Sequence, residues 1–234
     1  MRTPADHMGV GPILELNDIH LTLTSPAGPV KILRGAHLVV EAGATVAITG
    51  PSGAGKSTLL MVIAGLEAPQ QGRIQVAGQS ILTLNEDALA RFRRETIGIV
   101  FQSFHLVPGM TALENIALPL DLAGQRDSLS QARTLLTAVG LAHRADHYPV
   151  QLSGGEQQRV AIARAFAAQP ALVLADEPTG NLDHATGQKI IDLLFDLAQA
   201  QGTTFIMVTH DMALAGRCTQ QWRMEDGLLD RVQP

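Results

Sequence analysis

The sequence has few of the residues that mark secreted, disulfide-bonded or nucleic-acid-binding proteins. Its 234 residues include a single cysteine, Cys218, which cannot form an internal disulfide and to which we assign no chemistry. Lysine and arginine form no dense cluster, and the formal net charge is -5. Because nucleic-acid-binding surfaces are rich in positive charge, we expect no nucleic acid partner.

Long apolar runs and a targeting segment are also missing. Neither Leu59–Leu66 nor Val160–Ala175 approaches an uninterrupted membrane span, since Arg164 and Pro170 break the second run. Residues 1–12 lack the basic start and apolar centre of a signal peptide, and we interpret them as a flexible N-terminal tail. We therefore expect a protein that stays in the cytoplasm.

The length of the chain is typical of one large α/β domain, and its hydrophobic fraction of 46% is enough to bury a core. Short strand patterns at the start predict an antiparallel edge layer: Ile13–Leu16, Ile19–Leu23 and Leu38–Val40. A fourth strand pattern, Ala44–Thr49, leads into a glycine-rich stretch, and Ile97–Phe101 is typical of a buried strand. The apolar runs Ala171–Ala175 and Thr204–Thr209 are typical of central strands, the first of a parallel strand covered on both faces. Helical patterns lie at Lys56–Ala64, Asn85–Arg94, Ser130–Val139, Glu156–Ala168 and Thr186–Gln199.

Residues 102–151 change in character from loop to helix. Thr111 and Glu114 have the spacing of a capping box, and Gly140 ends the helical pattern that follows. We interpret 102–151 as a helical subdomain inserted into a core formed by 13–101 and 152–234.

A glycine-rich stretch between the strand pattern Ala44–Thr49 and the first helix predicts a phosphate-binding loop. In such loops, glycines turn backbone N–H groups inward, a lysine reaches the outer phosphates and a hydroxyl binds Mg²⁺. The following helix points its positive end at the same phosphates. The residues in question are Gly50, Pro51, Ser52, Gly53, Ala54, Gly55, Lys56, Ser57 and Thr58.

Two acidic residues stand at the carboxyl end of an apolar strand pattern, where open α/β sheets place ligands. Asp176 is suited to hold Mg²⁺, and Glu177 to polarise the water that attacks the γ-phosphate of a nucleotide. The alternative, an acidic pair that only caps a helix, is disfavoured by the phosphate-binding loop upstream.

A second glycine-rich turn, Leu152–Glu156, also opens a helix and presents N–H groups and the Ser153 hydroxyl to an anion. With this turn the sequence resembles the ATP-binding subunits of ABC transporters. The resemblance covers nearly the whole chain and rests on six motifs in the family's order: Gly50–Thr58, Gln102, Leu152–Glu156, Leu172–Pro178, Asn181-Leu182-Asp183 and His210.

The resemblance implies an α/β fold: a P-loop ABC ATPase core with a mainly parallel central sheet, an antiparallel β edge layer and an inserted helical subdomain. It implies ATP and Mg²⁺ as ligands, and a head-to-tail homodimer in which the signature of each copy closes on ATP held by the other. Lys56, Glu177 and His210 would be catalytic, and Ser57, Gln102 and Asp176 would attend Mg²⁺. Further nucleotide contacts would come from the loop Gly50–Thr58 and from Gln102, Ser153, Gly154, Gly155, Glu156 and Asp183.

One departure from the family concerns adenine. The family usually places an aromatic ring in the first strand region, but the segment Leu21–Pro26 contains no Tyr, Phe or Trp. Since stacking on a ring contributes about 1 kcal/mol beyond burial, we expect looser binding of adenine by Leu23 or Val30. Phosphate contacts must then dominate the affinity.

The amino-acid sequences of these motifs are most similar to those of the lipoprotein-release and macrolide-export branch of the family, and within it to the YbbA type of ATP-binding subunit. This implies an integral-membrane permease on a separate chain, which would hold the protein at the inner face of the bacterial cytoplasmic membrane. The apolar residues after Gln102 are candidates for contact with the permease, although packing within the subdomain also explains them: Phe104, Leu106, Val107 and Met110.

Two other classes share these motifs. A DNA-repair ATPase normally carries a long coiled-coil or zinc insertion, and nothing of that sort lies between Gln102 and Leu152. A regulatory ATPase of the cell-division type, which signals through a membrane partner, is harder to separate from a transporter subunit by sequence.

Overall fold

A computed structural model describes residues 11–26 and 28–232. The chain divides into two compact units, one formed by residues up to Arg93 together with those from Thr204 onward, the other by Arg94–Thr203. Of the predicted tail, residues 1–10 lie outside the described residues, and Pro12 already begins the first strand.

The first unit opens with a long antiparallel hairpin of β1 (Pro12–Ser25) and β2 (Gly28–Glu41). The separately predicted strands Ile13–Leu16 and Ile19–Leu23 are parts of β1. Asp18 between them has a φ of 54°, and the register shifts there. A bulge therefore lets one strand continue where the sequence pattern indicates a break.

The same unit contains the remaining edge strands β4 (Gln71–Val76) and β5 (Gln79–Ser80), with the order β2-β1-β4-β5. Ala77 and Gly78, between β4 and β5, both have positive φ, as a tight hairpin turn requires. The antiparallel layer predicted from sequence is confirmed.

A second group of strands in this unit carries the phosphate-binding loop. β3 (Thr45–Thr49) pairs in parallel with β8 (Thr204–Val208) and with β9 (Gln220–Glu225), and β10 (Leu228–Arg231) pairs antiparallel with β9. The sequence analysis predicted β3 and β8 from their apolar runs but missed the more polar β9 and β10. Helix α1 (Lys56–Ile63) follows β3 and buries Leu59 and Ile63.

Helix α2 (Glu86–Thr96) begins after Asn85, whose side chain accepts from Ala88 N–H at 2.9 Å, and the chain passes along it into the second unit. There, β6 (Ile97–Val100) pairs in parallel with β7 (Leu172–Asp176). A Cβ at Gly98 would lie 2.3 Å from the carbonyl oxygen of Ala165, so glycine is required where β6 meets the helix that carries Ala165.

Four longer helices complete this unit: α3 (Ala112–Leu122), α4 (Ser128–Ala138), α5 (Gly154–Phe166) and α6 (His184–Gln201). Buried residues of α3, α4 and α5, such as Ile116, Leu136 and Val160, form one apolar cluster. Helices α4, α5 and α6 each begin two residues earlier than predicted. For α5 and α6 the reason is the cap, since Ser153 and Asp183 cap the helices directly. A short helix, α7 (Met212–Ala215), belongs to the first unit.

Candidate nucleotide-binding site

The phosphate-binding loop has the backbone that its glycines predict. Gly50, Gly53 and Gly55 have φ values of 142°, 80° and 100°, in the region that L side chains rarely adopt. A Cβ at Gly50 would lie 2.0 Å from the carbonyl oxygen of Met224 in β9. No other residue fits at Gly50 without moving the strand beside it.

The loop also fixes Lys56, the first residue of α1. Its Nζ donates to the carbonyl oxygens of Gly50, at 2.9 Å, and Pro51, at 2.8 Å. Gly55 caps α1 in a left-handed conformation and, as a glycine, provides no side-chain cap for the first turn. The positive end of α1 and an ammonium group therefore lie in one loop, which suits a polyanion such as a nucleotide triphosphate.

His210 lies at the same edge of the sheet as this loop. Ile48 of β3 is paired with Val208 of β8, so Gly50 and His210 each stand two residues beyond neighbouring positions on parallel strands. The N–H of buried Thr209 donates to Ile48 O at 3.2 Å, which holds the two strand ends together. The first unit thus brings the loop and the predicted γ-phosphate histidine to one sheet edge.

A second set of predicted residues lies at a strand edge of the other unit. Val100 of β6 is paired with Ala175 of β7, which places Gln102 and Glu177 two residues beyond paired positions, with Asp176 at the end of β7. Glu177 has a φ of 44°, a left-handed conformation that is costly for a residue with a side chain. Such strain is typical of functional sites, where surrounding contacts hold a side chain in place.

Asn181 connects this edge to the loop that follows. Its Nδ2 donates to Gln102 O at 2.9 Å, and Gln102 Nε2 lies 3.5 Å from Asn181 Oδ1. A Cβ at Gly180 would lie 2.7 Å from Gln102 Nε2, so the two loops are in close contact. Asp183, two residues on, caps α6 by accepting from Thr186 N–H at 3.0 Å. The hydrogen bonds from Thr186 hold the pKa of Asp183 below its usual value.

The signature turn has a complete capping box at the start of α5. Ser153 Oγ accepts from Glu156 N–H at 3.3 Å, and Glu156 Oε2 accepts from Ser153 N–H at 2.8 Å and from its Oγ at 2.9 Å. The other carboxylate oxygen, Oε1, accepts from Arg144 Nε at 3.0 Å. The backbone hydrogen bond from Ser153 is the main cause that lowers the pKa of Glu156, against the opposing effect of burial.

The loop after Gln102 is held by two side chains that carried no assigned role in the sequence analysis. Phe104 and His105 both have positive φ, and Arg164 donates to their carbonyl oxygens, at 2.9 and 2.7 Å. Burial lowers the pKa of Arg164. The fully buried Asn115 donates to the carbonyl oxygens of Val107, Met110 and Thr111 and accepts from Val107 N–H.

The predicted permease contacts are partly enclosed within their own unit. Phe104, Leu106, Val107 and Met110 are all half-buried. Leu106 packs against the apolar cluster of α3, α4 and α5. A Cβ at Gly154 would lie 3.8 Å from the Phe104 ring.

At the predicted adenine end, Leu23 and Val30 are paired across the β1–β2 hairpin.

Comparison with known proteins identifies the family to which these residues belong. Residues 33–180 match the family model described as ABC transporter. The chain belongs to the ABC transporter family. It is 48% identical over 219 residues to the ABC transporter ATP-binding protein YbbA of Escherichia coli K12, covering 93% of this chain and 96% of YbbA. It is 45% identical over 223 residues to the lipoprotein-releasing system ATP-binding protein LolD of Alcanivorax borkumensis, covering 94% of this chain and 98% of LolD.

Solved structures give the same result for the fold. The chain superimposes with a TM-score of 0.86 on the ATP-binding cassette MJ0796, at 37% identity, covering 94% of this chain and 99% of that one. That structure is a dimer in a post-hydrolysis state bound to ADP and Pi. The ABC ATPase fold and the LolD- and YbbA-like resemblance predicted from sequence are therefore confirmed. The chain is an ABC transporter ATP-binding subunit, and ATP binding and hydrolysis are the properties expected of it.

Several residues that shape this ABC subunit were missed by sequence reasoning. Asn181 belongs to a motif in which only Asp183 had a role assigned, and Arg144 and Asn115 lie in segments described only as helical. Only Asn115 has a signal in the sequence, a polar side chain within an otherwise apolar helical pattern, which indicates a buried hydrogen-bonding partner but not its identity. None of the helices in the described part of the chain is long and apolar enough to span a bilayer.

Proposed function

We propose that this chain hydrolyses ATP in order to drive a separate membrane permease, in export, lipoprotein release or mechanotransmission. The observation that carries the proposal is the placement of the predicted nucleotide residues at strand ends, Gly50 with His210 in one unit and Gln102 with Glu177 in the other. The high identity to LolD and YbbA supports the choice of branch. The permease would hold the chain at the inner face of the cytoplasmic membrane.

In this proposal the backbone N–H groups of the phosphate-binding loop and the Lys56 ammonium bind the phosphates of ATP. Glu177 accepts a proton from the attacking water at its carboxylate, and His210 contacts the γ-phosphate. The strained backbone of Glu177 supports this role, because such conformations are found most often at functional sites.

Magnesium would be held by Ser57, Gln102 and Asp176. A hydroxyl, an amide and a carboxylate are oxygen donors of the kind that Mg²⁺ takes, and Mg²⁺ commonly uses one or two protein carboxylates together with substrate phosphates. The described residues contain no group of three or more His, Cys, Asp or Glu side chains that could hold a metal by themselves. This fits a cation that depends on phosphate oxygens, and when bound it would neutralise charge on the transferring phosphate.

A second copy would complete each nucleotide site. Ser153, Gly154, Gly155 and Glu156 of one copy would close on ATP held by the other, and Asp183 would connect the two sites. The helix start supports this role because Gly154 and Gly155 stand in the first turn of α5, and helix N-termini bind anions. The MJ0796 cassette is itself dimeric, which is consistent with the same arrangement here.

A cavity in the second unit supports docking of the permease. Its volume is about 360 Å³, and it lies between strand β6, helix α3 and the loop after Gln102. Leu122 lines it and is 59% exposed. We propose that this cavity and the predicted residues Phe104, Leu106, Val107 and Met110 together receive an apolar segment of the permease.

Replacement of the general base tests the enzymatic part. We expect Glu177→Gln to lower the ATP hydrolysis rate by at least about 100-fold while ATP binding is kept and an ATP-bound dimer accumulates. Glu95→Gln, which changes an exposed carboxylate in the same unit, serves as the control. Hydrolysis by Glu177→Gln at the parent rate would remove Glu177 from the base role.

A bulky residue in the signature tests the shared site. Ser153→Arg should abolish the ATP-dependent dimer measured by sedimentation, because the new side chain fills the space for the second copy's nucleotide, while single-chain ATP binding stays intact. Ser130→Arg, at an exposed position on α4, is the matched control. Full ATPase activity in Ser153→Arg would contradict the head-to-tail arrangement.

Copurification tests whether the cavity lined by Leu122 is the docking site for the permease. Leu122→Asp should weaken copurification with the coexpressed permease, whereas Leu129→Asp, at a similarly exposed leucine that does not line the cavity, should not. An equal loss in both variants would argue against the cavity as the docking site. ATPase assays of the intact complex with candidate cargo would then identify what is moved, since the permease specifies it.

A further inference from the structure

The anion-binding groups of Ser153 are occupied by a carboxylate of the chain itself. Both its N–H and its Oγ–H donate to Oε2 of Glu156, at 2.8 and 2.9 Å. These are groups that the proposed function assigns to a phosphate of the second copy's nucleotide. A phosphate approaching Ser153 therefore meets a negative charge within hydrogen-bonding distance of the groups that would bind it.

Arg144 is placed to offset that charge. Its Nε donates to Glu156 Oε1 at 3.0 Å, so the arginine and Ser153 hold opposite oxygens of one carboxylate. The Arg144 side chain is 35% exposed and the Glu156 side chain 14% exposed, which weakens solvent screening between them relative to a surface pair. His147 lies 3.0 Å from Arg144 Nη1 and helps to fix the guanidinium.

We propose that Arg144 is a positioning residue for the nucleotide-dependent pairing of two copies. It holds the Glu156 carboxylate in the capping box and offsets its charge, so that a phosphate of the second copy's ATP can approach Ser153. This inference rests on the proposed function, because it requires the signature to meet a nucleotide held by another copy. Arg144 itself does not need to touch that nucleotide.

A purely structural role for Arg144 makes a different prediction. If the arginine only tethered its segment to α5, its loss would have the same effect whether residue 156 is charged or neutral. If it offsets a charge, its loss should matter only while the carboxylate is present. Glu156→Gln keeps the capping box, since glutamine serves at this position as well as glutamate.

The test is a double-mutant cycle in the Glu177→Gln parent, with dimer formation followed by sedimentation as ATP is raised. We expect Arg144→Ala to raise the ATP concentration for half-maximal dimer by about tenfold, and by less than about twofold when combined with Glu156→Gln. Arg144→Lys, which keeps the charge, should stay within about threefold of the parent. Arg133→Ala removes an exposed positive charge from the same unit and should cause no shift.

An equal shift from Arg144→Ala in both backgrounds would overturn the inference, even where thermal unfolding shows that every variant is folded. A shift of the same size in Arg133→Ala would do so as well, because net charge alone would then explain the result. If the Glu177→Gln parent forms no ATP-dependent dimer, the proposed function fails and this inference fails with it. Failure of the proposed function would therefore be seen in the Glu177→Gln parent, and failure of the Arg144 inference alone would be seen only in the double-mutant cycle.

Discussion

The two glycine-rich helix starts of this protein are built in opposite ways. At the phosphate-binding loop, α1 is capped by a left-handed glycine, Gly55, and its first turn contains no acidic residue. At the signature, α5 is capped by the Ser153 side chain, and Glu156 lies in its first turn. Glycine backbone geometry shapes the first, and side-chain hydrogen bonds shape the second.

This difference shows that two helix starts with similar glycine-rich sequences can have different local environments for an anion. At α1 the cap residue contributes no side-chain acceptor, and the loop before the helix also holds Lys56. The start of α5 already has an internal anion, the Glu156 carboxylate, which accepts from Ser153 N–H. The loop after Gln102 resembles the signature turn in this respect, because the side chains of Asn115 and Arg164 hold its backbone by hydrogen bonds.

The largest effect should come from adding a methyl group at a glycine of the phosphate-binding loop, and the same change in the signature turn provides the comparison. Gly50→Ala should reduce ATP binding by about 100-fold or more, about 2.7 kcal/mol, because its φ is 142° and the new Cβ would overlap Met224 O. Gly154→Ala should leave single-chain ATP binding within about twofold, since its Cβ would meet no atom closer than 3.5 Å. Titration of both variants with a fluorescent ATP analogue checks this, and equal losses would break the comparison.

Loss of a buried amide should destabilise the side-chain-built loop. Asn115→Ala removes the side-chain partner of four backbone groups, and we expect the free energy of unfolding to fall by about 2.5 kcal/mol. Asn85→Ala, which removes only the cap of α2, should cost about 1 kcal/mol. Urea unfolding measures both, and a cost for Asn115→Ala no larger than that of Asn85→Ala would contradict the role of this side chain.

A smaller effect is expected when the guanidinium of Arg164 is replaced by an ammonium. Arg164→Lys keeps the charge but loses the planar fork that reaches the carbonyl oxygens of Phe104 and His105. We expect the free energy of unfolding to fall by about 2 kcal/mol. Protease sensitivity of the loop should rise in parallel, and an unchanged cleavage rate would show that the two positive φ values do not depend on Arg164.

The smallest effect is a pH dependence of the capping box. Because the fold lowers the pKa of Glu156, its ionised form stabilises the folded state above the usual value of 4.5, and this contribution is lost as the pH falls through the lowered pKa. The stability difference between the parent and Glu156→Gln should therefore be fully present at about pH 7 and should shrink as the pH is lowered below 4.5. A difference that stays constant or grows on acidification would contradict the assignment.

Much of the fold follows from local pattern. The apolar runs predicted β3, β6, β7 and β8 to within one residue at each end, and the Thr111–Glu114 capping box predicted the start of α3 correctly. Polar strands were missed, because β9 and β10 are stabilised by pairing with neighbours and have no apolar run of their own. The break expected in β1 was wrong, since a bulge at Asp18 absorbs the irregular pattern.

The sequence alone determined three things about this protein: the glycines of the loop before α1, the acidic residues at the end of β7, and the family that its motifs define. These features are local, so neighbouring residues encode them. The tertiary structure decided which partners each group meets, such as Arg144 for Glu156 and Asn181 for Gln102. Those contacts join residues that are 12 and 79 positions apart, and only packing of the folded chain brings them together.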